Sequence, residues 1–122
     1  MVEQAIATTI VDAHGIVRDF KGGSGVVHAL RGIDLCILPG EFVALRGRSG
    51  SGKTTLLNIL IGLDDPTSGS VTVLGRALAK LSETERAHLR SHNVGMMFQN
   101  AHLFPSLTAQ ENVEIPLRLM RL

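Results

Sequence analysis

Apolar residues recur in short runs along the first part of the chain, and the composition of each run predicts its structure. The runs Thr9–Phe20 and Val26–Leu38 are rich in valine and isoleucine, and a glycine-rich turn, Gly22–Gly25, separates them. Because β-branched side chains favour extended backbone, both runs are predicted to be strands. A second turn at Pro39-Gly40 leads into Phe42–Leu45, a short apolar run that predicts a buried strand.

The middle of the chain alternates between helical and extended patterns. Leu56–Ile61 presents an apolar face and is followed by Gly62, which predicts a helix that ends at this glycine. A loop over Asp65–Gly69 comes next, and Ser70–Gly75 predicts a short strand. Val94–Phe98 is a further apolar run with the length of a strand.

Two capping boxes predict where later helices begin. In a capping box, a serine or threonine is followed three positions later by a glutamate, and the two side chains satisfy the free N–H groups of the first turn. The pairs are Ser82 with Glu85, and Thr108 with Glu111. The first pair predicts a helix from about Glu83 to Ser91. The second predicts a helix that Pro116 is expected to interrupt, because proline has no N–H group.

Composition and charge narrow the class of protein. The chain has 122 residues, of which 44% are hydrophobic, enough for one domain or part of one. Its net charge of +1 and lack of a basic cluster argue against a nucleic-acid partner. The single cysteine, Cys36, cannot form an internal disulfide and is expected to be buried in its apolar stretch. The opening residues lack the pattern of a signal peptide, and no apolar run is long enough to span a bilayer.

The most specific motif is Gly47–Thr54, which fits the phosphate-binding pattern G-x-x-x-x-G-K-[ST] between a predicted strand and a predicted helix. Its glycines let the backbone point N–H groups inward, and the start of the helix adds the positive end of its dipole. The Lys53 ammonium would reach the β- and γ-phosphates, and the Thr54 hydroxyl would bind Mg²⁺. The candidate binding residues are Gly47, Arg48, Ser49, Gly50, Ser51, Gly52, Lys53, Thr54 and Thr55. A plain glycine-rich turn before an ordinary helix is the alternative.

Phosphate-binding loops serve several reactions, and the sequence disfavours some of them. A guanine-reading Asn-Lys-x-Asp is absent, and no acceptor-site motif points to a kinase. An apolar strand that ends in an Mg²⁺-binding aspartate is also missing. Leu60–Asp64 imitates such a strand, but it begins inside the predicted helix, so Asp64 is interpreted as a loop residue.

In addition to the phosphate loop, several segments before and after it match the sequence motifs of a known family, in the same order along the chain. These segments are Ala29–Leu35, Pro39–Leu45, Leu63–Val71, Val94–Gln99 and Leu103–Val113. Together they resemble the ATP-binding subunits of ABC transporters, and Gly62-Leu63-Asp64 is similar to the lipoprotein-release and macrolide-export branch. The resemblance implies an α/β fold, a P-loop NTPase core with an antiparallel β-subdomain. It also implies that residues 1–122 are the part of the nucleotide-binding domain from the Walker A loop to the Q-loop, truncated before the helical subdomain.

The resemblance assigns roles that spacing alone does not. Phe20 matches the aromatic residue that stacks on adenine, with a core phenylalanine as the alternative. Gln99 matches the Q-loop glutamine, which reaches Mg²⁺ and senses the γ-phosphate, with a polar strand-end residue as the alternative. The apolar side chains of Leu103, Phe104 and Leu107 match a region that faces a transmembrane subunit, although core contacts explain them equally well.

The implied ligands are ATP and Mg²⁺, and the implied partners are a membrane permease and a second nucleotide-binding subunit. The implied location is the cytoplasmic side of a membrane, where the chain is held by the permease. The family's signature motif, its Walker B aspartate with the catalytic glutamate, and its switch histidine have no match here. No catalytic residue is therefore assigned, and steady ATP hydrolysis by this chain alone is not expected. The alternative function is a truncated, non-catalytic fragment or docking module without nucleotide-driven activity.

Overall fold

A long β-hairpin is the largest element of the computed structural model, which describes residues 8–100 and 102–120. Strands β1 (Val11–Gly22) and β2 (Gly25–Ile37) pair antiparallel, with Gly22 opposite Gly25 at the turn. Both strands and their turn were predicted from the sequence. The described residues divide into two compact units, one up to Arg86 and one from Ala87 onward.

The first unit contains a four-stranded sheet in the order β2-β1-β3-β4. Strand β3 (Ser68–Val73) pairs antiparallel with β1, and β4 (Arg76–Ala77) pairs with β3. Helix α1 (Lys53–Leu60) supplies apolar side chains to the same core as the sheet. The buried side chains of this unit are Ala13, Ile16, Leu30, Leu56, Ile59, Leu60, Val71, Val73 and Leu78. The antiparallel part and the loop-to-helix part of the predicted fold class are both present.

Strands β1 and β3 approach each other very closely at Gly69. This glycine has φ of 99°, and a β-carbon on it would lie 2.5 Å from the Gly15 carbonyl oxygen and 2.6 Å from that of His14. These distances are far below van der Waals contact, so only glycine fits this position without a backbone shift. The predicted loop, Asp65–Gly69, ends two residues earlier than expected because β3 already begins at Ser68.

Two predicted strands are not strands in the structure. Neither Phe42–Leu45 nor Val94–Phe98 is hydrogen-bonded as a strand to a neighbour within residues 8–100 and 102–120. The prediction that Phe42–Leu45 is buried was also wrong, since Phe42 is 97% exposed. An apolar run forms a strand only where a neighbouring backbone accepts and donates the ladder hydrogen bonds, and neither segment has such a neighbour among the described residues.

Strand alternation explains a further difference from expectation. Cys36 was expected to be buried but is exposed. Successive side chains of a strand point to opposite faces of the sheet, and Cys36 lies on the exposed face of β2 between the half-buried Leu35 and Ile37.

The later helices begin where the capping boxes predicted. Helix α2 (Glu83–Asn93) follows Ser82, whose backbone N–H donates to Glu85 at 2.8 Å while its hydroxyl accepts from the Glu85 N–H at 3.2 Å. Hydrogen bonds from Ser82 to the Glu85 carboxylate, first from the Ser82 backbone N–H and then from its side chain, hold the pKa of Glu85 below its usual value. Helix α3 (Ala109–Leu119) begins with the corresponding reciprocal pair at Thr108 and Glu111.

Helix α3 continues past Pro116 to Leu119, so the predicted interruption was wrong. Proline removes only its own N–H donor, and the following turn closes normally because the Met120 N–H donates to the Pro116 carbonyl at 3.0 Å. An ion pair between Glu114 and Arg118, at 2.9 Å, spans the proline on the helix surface. Hydrogen bonds from the Gln110 side chain first, and then from Arg118, lower the pKa of Glu114.

Candidate functional site

The loop before α1 closes around the ammonium group of Lys53. This group donates to the carbonyl oxygens of Gly47 and Arg48, both at 2.7 Å, and to the Ser51 hydroxyl at 3.2 Å. All three acceptors are neutral, and no carboxylate pairs with Lys53 among the described residues. The full positive charge of Lys53 therefore remains available to an anion at the mouth of the loop.

The start of α1 is built as an anion site. The residue before the helix is Gly52, which offers no side-chain cap, and the first turn contains no acidic residue. The first N–H groups of a helix have no partner within it, so in α1 they are free to bind a ligand. The helix dipole adds a partial positive charge at the same end, which favours phosphate.

Gly52 also ties the loop to the hairpin. It has φ of 98°, and a β-carbon on it would lie 2.7 Å from the Ala29 carbonyl oxygen and 2.9 Å from Cδ2 of Leu30. Any side chain here would push the loop away from β2. The glycine of the motif is therefore required by close packing as well as by backbone conformation.

The other predicted binding residues lie around the Lys53 ammonium and the beginning of α1. Gly47 through Ser51 are exposed, Thr54 is exposed at the beginning of α1, and Thr55 is half-buried. An adjoining cavity of about 250 Å³ is walled by Leu30, Ile33, Leu45 and Leu56 beside the loop residues. Its apolar walls suit protein packing rather than a polyanion, so the phosphate position is assigned to the loop and the start of α1.

Phe20 lies near the end of β1, opposite Val27 of β2, and is 40% exposed. Its ring is not part of the buried core of the first unit. The Arg18 guanidinium lies over this ring, with its central carbon 4.5 Å from the ring centroid. The same guanidinium makes two hydrogen bonds to Asp64, at 3.0 and 3.1 Å. Sequence reasoning treated Asp64 as an ordinary loop residue and missed this contact, which joins positions far apart in the chain.

Gln99 lies in the second unit and is exposed. It borders a cavity of about 520 Å³ that is lined mainly by apolar side chains of its own unit: Met96, Met97, Phe98 and Leu103, with His102. The rings of Phe98 and His102 meet edge to face, with centroids 4.8 Å apart. A polar amide therefore stands at the border of an otherwise apolar surface.

Asn112 organises the segment before α3, a role that the sequence reasoning missed. Its side-chain oxygen accepts from the Phe104 N–H at 2.8 Å. Its side-chain nitrogen donates to the carbonyl oxygens of Phe104, Leu107 and Thr108 at 3.2, 3.2 and 2.9 Å. One amide thus fixes both ends of the turn that presents Phe104, and an asparagine just inside a capped helix was the available signal.

Replacing Asn112 by alanine is expected to loosen this turn. The change leaves the Phe104 N–H without its acceptor and removes the donor to three carbonyl groups, at a cost of about 1–2 kcal/mol. Hydrogen exchange of the Phe104 amide should accelerate about tenfold for each 1.4 kcal/mol lost. The matched control is Gln110→Ala, which removes only a surface hydrogen bond to Glu114. Equal exchange rates in the two variants would contradict the role assigned to Asn112.

Comparison with known proteins identifies the family. The sequence model of the family described as "ABC transporter" matches residues 30–121. This match includes the whole phosphate loop and all three helices. The chain belongs to the ABC transporter family. The resemblance noted from the motifs is thereby confirmed.

Two groups of curated relatives are similar to this ABC transporter chain. The pyoverdine export ATP-binding/permease protein PvdT of Pseudomonas syringae pv. syringae (strain B728a) is 53% identical over 110 residues, or 89% of the chain. The macrolide export ATP-binding/permease protein MacB of Rhodopseudomonas palustris (strain HaA2) is 48% identical over 111 residues, or 91% of the chain. In both cases the chain spans only 17% of the relative's length.

Solved ABC cassettes share the fold of this chain. The post-hydrolysis dimer of MJ0796 bound to ADP and Pi matches with a TM-score of 0.83 and 40% identity, over 89% of this chain and 47% of that one. A second dimeric structure of MJ0796 matches with a TM-score of 0.84. The likeness confirms the predicted α/β fold class and shows that the chain spans about half of a cassette. Within residues 8–100 and 102–120, no helix combines the length and the apolar character needed to cross a membrane.

Proposed function

We propose that this chain binds Mg·ATP through residues 47–55 and acts as the nucleotide-binding part of an ABC export system. One observation carries the proposal. Among the described residues, the partners of the Lys53 ammonium are neutral loop oxygens, and the ammonium lies at the uncapped beginning of α1. Two separate sources of positive potential therefore converge on one exposed loop, which suits a triphosphate better than any monovalent anion.

Each predicted binding residue has a role in this proposal. The loop N–H groups and Lys53 would bind the β- and γ-phosphates, and the exposed Thr54 hydroxyl would be a ligand of Mg²⁺. The role of Gln99 toward Mg²⁺ stays what the family resemblance implies. Bound Mg²⁺ neutralises phosphate charge and polarises the terminal phosphoryl group. The partly exposed ring of Phe20 stacks on the adenine base.

Transport requires more than this chain carries. By the family resemblance, the glutamate that orients water and the signature loop that completes a partner's site belong to the part of a cassette that this chain does not match. We therefore propose ATP binding without steady turnover by the chain alone. The named relatives combine ATP-binding and permease functions in export, and the solved cassettes are dimers, which supports a permease and a second cassette as partners at the cytoplasmic face of a membrane.

A second candidate function is a docking module without nucleotide-driven activity. The observation that favours it is the segment Phe42–Leu45 in the first unit, which pairs with no strand among the described residues and is exposed over its first three residues. An apolar segment that makes no strand hydrogen bonds within residues 8–100 and 102–120 can serve as a template for pairing with another polypeptide. This candidate predicts association with protein partners that is independent of ATP.

Calorimetric titration of the 122-residue chain with ATP and Mg²⁺ tests the proposal directly. We expect saturable heat, together with shifted amide resonances over residues 47–55. AMP lacks the β- and γ-phosphates, so it should bind at least about tenfold more weakly, and chelation of Mg²⁺ should also weaken ATP binding. A folded chain that gives neither heat nor shifted loop resonances would refute nucleotide binding and favour the docking function.

A further inference from the structure

Arg18 joins the candidate base-stacking residue to the loop that follows the phosphate-binding helix. Its guanidinium lies over the Phe20 ring and at the same time makes two hydrogen bonds to Asp64. We propose that Arg18, anchored by Asp64, is a positioning residue that holds Phe20 at a fixed place for stacking on the base. This inference rests on the proposed function, and it assigns roles to two residues that the phosphate motif does not include.

The anchor at Asp64 is rigidly connected to α1. The N–H groups of Leu63 and Asp64 both donate to the Asn58 carbonyl, at 2.8 and 3.3 Å, which fixes the chain immediately after the helix. Helix α1 begins at Lys53 and so carries the phosphate position at its other end. The connection Phe20–Arg18–Asp64 therefore fixes the position of the Phe20 ring, on which the base would stack, relative to α1. The same helix presents its first N–H groups to the phosphates.

A second attachment keeps Asp64 beside β1. The Thr67 N–H donates to the Val17 carbonyl at 2.7 Å, and the Thr67 hydroxyl accepts from the Asp19 N–H at 2.9 Å. These bonds flank Arg18 on both sides along the strand. The loop from Asp64 to Thr67 is thus fixed along β1 at two points, so the Arg18–Asp64 contact does not depend on the side chains alone.

The pair is more shielded than an ordinary surface ion pair. The side chains of Arg18 and Asp64 are 25% and 33% exposed, and their contact is bidentate, the geometry in which arginine holds a carboxylate most specifically. Asp64 Oδ1 also accepts from the Asp65 N–H at 2.9 Å. The guanidinium is therefore held in one orientation, with its plane available to the ring.

The arrangement gives Arg18 two effects on base binding. A cation over one face of a phenyl ring leaves the other face for a second planar group, and it draws electron density from the ring, which strengthens stacking with electron-rich adenine. It also restricts the ring before the ligand arrives, and an aromatic group that is already ordered loses less entropy on binding. Both effects act on the base and not on the phosphates.

Affinities for ATP and for inorganic triphosphate, each with Mg²⁺, separate an effect on the base from an effect on the phosphates. Arg18→Ala is expected to weaken ATP binding about fivefold and to leave triphosphate binding unchanged. Asp64→Asn should act in the same direction, because it removes the charge that holds the guanidinium. Arg18→Lys should restore ATP affinity only in part, since an ammonium lacks the planar fork. The matched control is Arg76→Ala, which removes a surface contact with Glu85 at 3.9 Å and no aromatic partner.

A fluorescent reporter tests the position of the ring itself. The chain contains no tryptophan and no tyrosine, so Phe20→Trp introduces a single indole at the platform. In this background, ATP should change the emission of the indole, whereas triphosphate should not. Adding Arg18→Ala should raise the mobility of the indole in the free chain, measured by anisotropy decay, and reduce its response to ATP. A purely structural role of Arg18 would lower thermal stability without this base-dependent signal.

The outcomes distinguish this inference from the proposed function. If the unsubstituted chain binds neither ATP nor triphosphate, nucleotide binding fails and the positioning role fails with it. If that chain binds ATP but Arg18→Ala binds it equally well, only the positioning role is overturned. Equal loss of ATP and triphosphate affinity in a folded Arg18→Ala variant would also overturn it, because the effect would then lie in the phosphate loop.

Discussion

Replacing Lys53 by alanine is expected to weaken Mg·ATP binding about a hundredfold or more. The Lys53 ammonium lies inside the loop, at 2.7 Å from the carbonyl oxygens of Gly47 and Arg48. Charge-assisted hydrogen bonds contribute about 1.5–3 kcal/mol each, and 2.7 kcal/mol corresponds to a hundredfold change in affinity. The loop would also lose the group that draws its carbonyls together. Competition calorimetry with the purified variant would measure the effect.

The control for this prediction is Lys80→Ala, which removes an exposed lysine at the end of a 3-10 helix, Leu78–Lys80, and has the same effect on net charge. It should bind ATP as the unsubstituted chain does. If Lys53→Ala and Lys80→Ala had the same affinity, the loop would not be the binding site. The hydroxyl of Ser51, at 3.2 Å, is the longest of the three contacts of Lys53, and we expect it to be released when phosphate binds.

Substituting Gly69 by alanine is expected to lower the free energy of unfolding by about 3 kcal/mol. The new β-carbon would meet the carbonyl oxygens of Gly15 and His14 at 2.5 and 2.6 Å, and both are backbone atoms that cannot rotate away. Strands β1 and β3 must separate locally, in addition to the strain of a positive φ for alanine. Urea unfolding followed by circular dichroism would measure the loss.

Gly75→Ala is the matched control for that experiment. Gly75 also has a positive φ, of 75°, but an added β-carbon there would meet nothing within 4 Å. Its cost should be confined to backbone strain, about 1 kcal/mol. Equal midpoints for the two variants would show that the close approach at Gly69 contributes nothing to stability.

The sequence predicted those elements whose causes are local. Valine-rich runs beside a glycine turn predicted the hairpin, and the capping boxes placed the starts of α2 and α3 correctly. The sequence-based predictions were wrong where strand formation depends on hydrogen bonding to a neighbouring strand. Phe42–Leu45 and Val94–Phe98 have strand-like composition, but a strand also needs a neighbour, which composition does not reveal. Pro116 was misjudged because one lost hydrogen bond does not end a helix whose next turn can still close.

In the candidate site, too, local features were predictable from the sequence, whereas contacts between residues far apart in the chain were not. The spacing of the phosphate motif predicted which lysine would lie within the loop, because every contact of Lys53 spans six positions or fewer. By contrast, Arg18 and Asp64 are 46 positions apart, and no local pattern links a strand residue to a carboxylate beyond a later helix. The hydrogen bonds of Asn112 reach back eight positions to Phe104, and they became evident only from the geometry.

The close packing of Gly52 against the Ala29 carbonyl holds the phosphate-binding loop against strand β2 of the hairpin. Because the loop backbone packs against the β2 main chain, local opening of that edge strand is expected to disturb the phosphate-binding loop. A ligand bound in the loop is expected to oppose this opening. The two equilibria are thermodynamically linked and, by reciprocity, change by the same free energy. A ligand bound in the loop is therefore expected to stabilise the edge strand β2.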